Sequence, residues 1–163
     1  MRLSRYTDYM VRVLMQAAVS GSKRVTVDEV AETFRISRHH LVKAVHDLGR
    51  HGFLSTHRGV GGGFTLARAP EEIVLGDVIR LGEESETVID CRDRSGLDCL
   101  LLPACRLKGV LDEAAAAFFA VVDHCTLADL VEESTVIRKI LHIPADRACE
   151  EPQDASESMK IHE

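Results

Sequence analysis

Tryptophan is missing from these 163 residues and aromatic side chains make up only 4% of them, so the core must be aliphatic. No stretch nears the roughly 18 apolar residues that a membrane span needs. The apolar opening MRLSRYTDYMVRVLMQAAVS is broken by Asp8, which argues against a secretory leader. A cytoplasmic location is the expectation. A positive net charge is also missing: the chain carries -6, which looks wrong for a partner of nucleic acid. Division of the chain changes that. Residues 1–69 hold eleven Lys/Arg against five Asp/Glu, and residues 70–163 hold nine against twenty-one. A polyanion would dock on the first part. The length suits one domain, or one small domain with an appended interaction element.

The basic part reads as a sequence of short elements. Tyr9, Met10, Val13, Leu14 and Ala17 recur with helical period over residues 7–19, with Thr7 as the expected cap and Ser20-Gly21-Ser22 as the stop. Thr26-Val27-Asp28-Glu29 has the form of a capping box. It opens a short helix that turns Val27, Val30, Ala31 and Phe34 inward. Arg35-Ile36 turns the chain, and Ser37 is the expected cap of a second helix from Arg38 to about Gly49. Its apolar face is Leu41, Val45 and Leu48, with Val42 beside it. Two short helices joined by a tight turn predict a helix-turn-helix, whose second helix enters the major groove.

Ser37, Arg38, His39, His40 and Lys43 lie at the start of that second helix, where side chains and free backbone N–H groups can meet DNA. Arg38 and Lys43 can donate to guanine edges; His39 and His40 suit positioning contacts. Arg12, on the first helix, joins the candidate DNA contacts. Residues 52–58 and 64–68 are two short β-like runs around Gly59-Val60-Gly61-Gly62-Gly63, which predicts a hairpin. His57 and Arg58 supply charge near its tip, as a wing against a minor groove or its phosphates requires. The Lys-Ser/Thr ending of a nucleotide-binding loop is missing after these glycines. Pro70 ends the wing, and residues 75–82 read as a short helix that closes the core.

The acidic part follows another plan. A long amphipathic helix is expected from about Ala104 to Val122, with Leu107, Val110, Leu111, Ala114, Phe118 and Val121 on one face. A helix this long on so small a domain predicts pairing with a second copy, and a two-fold dimer would present two recognition helices to two half-sites. Thr126–Val131 starts a further short helix, expected to fold back on the first domain. The fold class is therefore mostly α: a winged helix-turn-helix with a β-hairpin wing plus a long C-terminal dimerisation helix. The expected organisation is a DNA-binding domain over 1–82, a cysteine-bearing loop over 83–105, the dimerisation and fold-back helices over 106–144, and a disordered acidic tail over 145–163.

Cysteines stand at 91, 99, 105, 125 and 149, an odd number that argues against a disulfide framework. Cys91, Cys99 and Cys105 fall within fifteen residues, on a loop and at a helix start, where the positive helix end suits a thiolate. Arg92, Arg94 and Arg106 add charge that could offset an anionic cluster. The spacing leaves three occupants open: an iron–sulfur cluster, zinc, or no metal with free-thiol chemistry. A four-iron cluster needs a fourth ligand, from Cys125 or from an oxygen or nitrogen donor elsewhere, the partner subunit included. No nucleophile–base pair has suggestive spacing, for His124 beside Cys125 does not place the side chains face to face. The chain is not expected to be an enzyme.

Leu3-Ser4-Arg5-Tyr6-Thr7-Asp8-Tyr9, the wing Arg58–Ala67, the cysteine triplet and Leu102–Lys108 together resemble the family of iron–sulfur-binding winged-helix regulators, over Met1 to about Val131. Within it the chain is most similar to the nitric-oxide-sensitive repressors. The cluster-assembly regulators place a histidine three residues past the third cysteine, where this chain has Lys108. The resemblance implies a homodimer with one [4Fe–4S] cluster per subunit, degraded by oxygen to a [2Fe–2S] form. The implied ligands are Cys91, Cys99, Cys105 and the partner subunit's Asp8. It implies repression at a palindromic operator of double-stranded DNA, release of that DNA when nitric oxide nitrosylates the cluster, and derepression of nitric-oxide detoxification genes. An iron- or cluster-status sensor of the same family, or a zinc- or thiol-stabilised DNA-binding protein, remains the alternative. The gap of seven residues between Cys91 and Cys99 is longer than the family's usual one.

Overall fold

The computed structural model describes residues 2–83, 87–89, 91 and 98–143. The expected tail, Cys149, Arg92 and Arg94 lie outside the described residues. Helix α1 (Arg5–Val19) is the axis of the domain. Its stripe Met10, Val13, Leu14 and Ala17 is buried to 1% exposure or less, in a helix that packs against the wing and several of the helices that follow it. The cap differs from the expectation. Ser4, not Thr7, caps the helix, its Oγ accepting the Thr7 N–H at 3.1 Å. Both residues can cap and they stand three apart, but the Thr7 side chain is turned fully inward. There its hydroxyl bonds the Glu83 carboxylate, which also accepts the Ser4 N–H at 2.8 Å.

Helix α2 (Val27–Phe34) starts on the expected capping box. Thr26 Oγ1 accepts the Glu29 N–H at 3.2 Å, and Glu29 Oε2 accepts the Thr26 N–H at 2.7 Å. It stops at Arg35, whose φ of 54° is left-handed, an uncommon conformation for a residue with a side chain. Helix α3 (Arg38–Arg50) follows after two residues. Leu41, Ala44, Val45 and Leu48 are buried, whereas Val42 is 44% exposed. Ser37 stands at the cap position, but its side chain makes no capping bond, a correction to the expected role. Its carbonyl, instead of its hydroxyl, serves the helix by accepting the His40 N–H at 3.1 Å.

Strands β1 (Leu54–His57) and β2 (Gly63–Leu66) form the expected wing, antiparallel with Leu54 opposite Leu66 and His57 opposite Gly63. The wing is also stitched to the link before α2. Val25 and Phe64 exchange two backbone hydrogen bonds, of 2.9 and 2.8 Å. Phe64 is 1% exposed and so anchors the hairpin in the core.

After a 3-10 turn at Pro70–Glu72 comes α4 (Leu75–Gly82), on the expected residues. The long helix α5 (Arg106–Val122) starts two residues later than expected, because Leu102–Ala104 is a 3-10 turn around Pro103. Arg80 on α4 grips Asp123 with two hydrogen bonds of 2.6 and 2.8 Å, and its guanidinium lies 4.4 Å from the Phe119 ring centre. Gly76 makes room for this joint, since a Cβ there would sit 1.8 Å from Asp123 Oδ1. Gly76→Ala is therefore expected to destabilise the fold by about 1–3 kcal/mol through overpacking, although alanine is the better helix former by about 1 kcal/mol. Thermal unfolding reads the sign, and a stabilised variant would contradict this account of the joint.

Helix α5 buries Ala115 and Phe119 against its own chain and leaves Leu107, Val110 and Val121 at 58, 61 and 71% exposure. Most of the apolar face read from the sequence is thus open in a single chain. Helix α6 (Leu127–Leu130) folds back as expected, with Leu127 in the core. Helix α7 (Ser134–Ile140), which the sequence reading did not separate, packs on α1. Among the described residues no helix is long and apolar enough to cross a membrane.

Candidate nucleic-acid interface and metal centre

The exposed start of α3 carries Ser37, Arg38, His39, His40 and Lys43 together. Their settings differ. Arg38 Nε donates to Asp28 Oδ1 on α2 at 2.6 Å, an exposed ion pair that ties it to the preceding helix. Such a pair is worth little in water, so a phosphate or base edge can compete for the guanidinium. The His39 and His40 rings meet edge-on at 5.8 Å, and His40 also lies 5.9 Å from the Tyr9 ring. Lys43 Nζ sits 4.8 Å from the Tyr6 ring centre. His57 and Arg58 are exposed at the wing, where the turn around Val60 is braced by Arg24 Nη1 donating to the Gly61 carbonyl at 3.1 Å.

Arg24 escaped the sequence reading, as did the pair Tyr6–Asp47. The Tyr6 hydroxyl donates to Asp47 Oδ2 at 2.6 Å. Burial, followed by the Asp47 carboxylate, holds the phenol's pKa far above its ordinary value. The Tyr6 bond, the first cause, pulls Asp47 below the usual carboxylate range. The phenol thus stays a donor and the carboxylate an acceptor at neutral pH. The only sequence signal was one acidic residue among the basic ones of α3.

Asp8 lies in the first turn of α1, with its side chain 48% exposed, and its Oδ1 accepts from Arg12 Nε at 2.9 Å. One candidate ligand and one candidate DNA contact are therefore ion-paired. The Arg12 guanidinium also lies 5.4 Å from the Phe34 ring centre on α2.

Among the described residues, Cys91, Cys99, Cys105 and Cys125 are free thiols. Cys99 N–H donates to the Cys91 carbonyl at 2.8 Å, and Leu102 N–H to the Cys99 carbonyl at 2.9 Å. The turn at Leu102–Ala104 then delivers Cys105 to the cap of α5, where its Sγ accepts the Lys108 N–H at 3.4 Å. Lys108 has its pKa raised, first by its hydrogen bond to Asp112 and then by the charge of that carboxylate, with Cys91 and Cys105 as lesser contributors. Both thiol groups thus lie within electrostatic reach of one ammonium. A protonated lysine cannot coordinate a metal, so Lys108 does not replace the histidine of the cluster-assembly branch. Soft sulfur donors with an N–H···S bond fit a thiolate-bound iron–sulfur group. Among the described residues, however, no three His, Cys, Asp or Glu side chains are grouped to hold an ion within one chain. Cys125, partly buried, turns its Sγ to the Thr126 carbonyl at 3.7 Å.

A family model described as Rrf2, iron-dependent transcriptional regulator, matches residues 3–133. The chain is 42% identical over 142 residues to the HTH-type transcriptional regulator NsrR of Geobacillus kaustophilus, covering 86% of this chain and 97% of that one. NsrR of Bacillus subtilis gives the same identity and coverage. Among solved structures, CymR, the global cysteine regulator of B. subtilis, superposes with a TM-score of 0.66 at 25% identity, covering 82% of this chain and 98% of its own. IscR of T. potens gives 0.65 at 26%, covering 82% and 88%.

Proposed function

Because the chain belongs to the Rrf2 family of iron-dependent transcriptional regulators, we propose that it is the nitric-oxide-sensing repressor of that family. The observation that carries the reading is the cysteine segment rooted at α5, combined with a fourth position that Lys108 cannot fill. Cys91, Cys99 and Cys105 would hold a [4Fe–4S] cluster, and Asp8 of the partner subunit would complete the set. Among the described residues no three candidate ligands are grouped within one chain, so the three cysteines would have to draw together on binding it. When bound, the cluster supplies iron that nitric oxide can attack, most readily where the ligand is an oxygen and not a thiolate.

The chain's own residues turn that event into an output. The open apolar face of α5, with Leu107, Val110 and Val121 exposed, pairs two copies. Two α3 helices then address half-sites about one DNA turn apart. Arg38 and Lys43 read base edges; Ser37, His39, His40 and Arg12 contact the backbone; His57 and Arg58 follow the minor groove. Asp8 shares α1 with Arg12 and Tyr6. As a ligand, Asp8 would tie the first turn of the helix on which α3 rests to the partner's cluster.

A reporter under a palindromic operator tests this. Repression by the chain should be lifted at least tenfold by a nitric-oxide donor. Repression that ignores nitric oxide but follows iron supply would replace the reading with iron sensing. Repression that ignores both would leave a constitutive DNA-binding protein.

A further inference from the structure

Tyr6 makes a connection that neither DNA reading nor cluster ligation requires. It sits in the first turn of α1, two residues before Asp8, and its side chain crosses to α3. Its hydroxyl donates to Asp47 at 2.6 Å, while its ring lies under the Lys43 ammonium at 4.8 Å. Lys43 and Asp47 are four residues apart and so share one face of α3. One side chain therefore holds both a proposed base-reading cation and the turn behind it. Helices α1 and α3 also pack on each other, and both give apolar side chains to the one core, Met10 and Leu14 from α1 and Leu41 and Leu48 from α3. Apolar contacts are non-directional and let two helices shift without a defined response. A charge-assisted hydrogen bond has a preferred length and angle.

We propose that Tyr6 is the positioning residue through which the start of α1 sets the placement of the recognition helix. The proposal rests on the sensor reading above and specifies its route within the subunit. Asp8 and Tyr6 belong to one helical turn, so a change in what Asp8 binds moves the Tyr6 hydroxyl. Asp47 follows the hydroxyl, and Lys43 follows both the ring and the helix. The Tyr9–His40 ring contact is a softer link along the same line.

Tyr6→Phe removes the hydroxyl and keeps the ring beneath Lys43. Asp47→Asn removes the charged acceptor. The readout is the response ratio: the operator Kd of the nitric-oxide-treated dimer divided by that of the iron-loaded dimer. Each variant is expected to lower this ratio at least threefold, and the double variant no further, because both remove one bond. A merely structural role would lower the melting temperature and shift both Kd values alike, leaving the ratio unchanged. Should Tyr6→Phe not fold, Asp47→Asn carries the same test. An unchanged ratio in a folded variant, or a double variant whose loss is the product of the two, overturns the role of Tyr6 alone. A wild-type ratio of one overturns the sensor reading and this role with it.

Discussion

Cys105→Ser is expected to abolish bound iron and the nitric-oxide response while leaving the folded chain intact. The two halves of this result come from the two tasks of one side chain. As the cap of α5, Cys105 accepts the Lys108 N–H through its sulfur. Serine is among the preferred capping residues and performs that task at least as well. As a soft donor to iron, the sulfur has no counterpart in a hydroxyl. The melting temperature of the metal-free variant should match that of the metal-free parent. Iron content should fall below one tenth of the parent's, and operator binding should no longer change with nitric oxide. A variant that keeps a full response would remove Cys105 from the ligand set.

Gly63→Ala should do the reverse, sparing the metal and damaging the reader. Gly63 has φ +148°, and a Cβ on it would stand 2.7 Å from the Val25 carbonyl oxygen and 3.3 Å from its carbon. Those are backbone atoms and cannot swing aside. To relieve the overlap, β2 must leave the Val25 link, which puts at risk the two bonds between Val25 and Phe64. Each is worth about 1 kcal/mol, and the unsuited φ costs about 1–3 kcal/mol more. A loss of roughly 3–5 kcal/mol is a large part of a total of about 5–15 kcal/mol. The melting temperature should fall by about 2–4 °C for each kcal/mol, and the operator Kd should rise more than tenfold. Gly61→Asn is the matched control. Gly61 also has positive φ, at +73°, but a Cβ there meets nothing within 4 Å, and asparagine tolerates that conformation. Equal losses in the two variants would contradict the docking of the wing on Val25.

Local chemistry was legible in the sequence, and links across the fold were not. The Thr26–Glu29 capping box, the glycine hairpin and α4 lie where spacing and turn residues place them. Each is decided within a few residues. The cap of α1 was misplaced because Ser4 and Thr7 are locally equivalent, and only Glu83, 76 residues away from Thr7, draws Thr7 inward. Ser37 failed as a side-chain cap for want of a bond that local sequence does not dictate. The pairs Tyr6–Asp47, Arg80–Asp123 and Arg24–Gly61 join residues 37 to 43 positions apart, beyond any periodicity. The metal centre is the extreme case. The triplet announces a ligand set, but its proposed completion belongs to a second chain.

The proposed coupling of cluster to reader predicts that two signals move as one. The protein, purified without oxygen and mixed with fluorescent operator DNA, is titrated with nitric oxide while visible absorbance and DNA anisotropy are followed in the same cuvette. The account predicts that the iron–sulfur absorbance bleaches and the DNA is released over the same additions, with Asp8→Ala showing bleaching without matching release. DNA that stays bound after the absorbance is gone, or an Asp8→Ala dimer that responds like the parent, would contradict it.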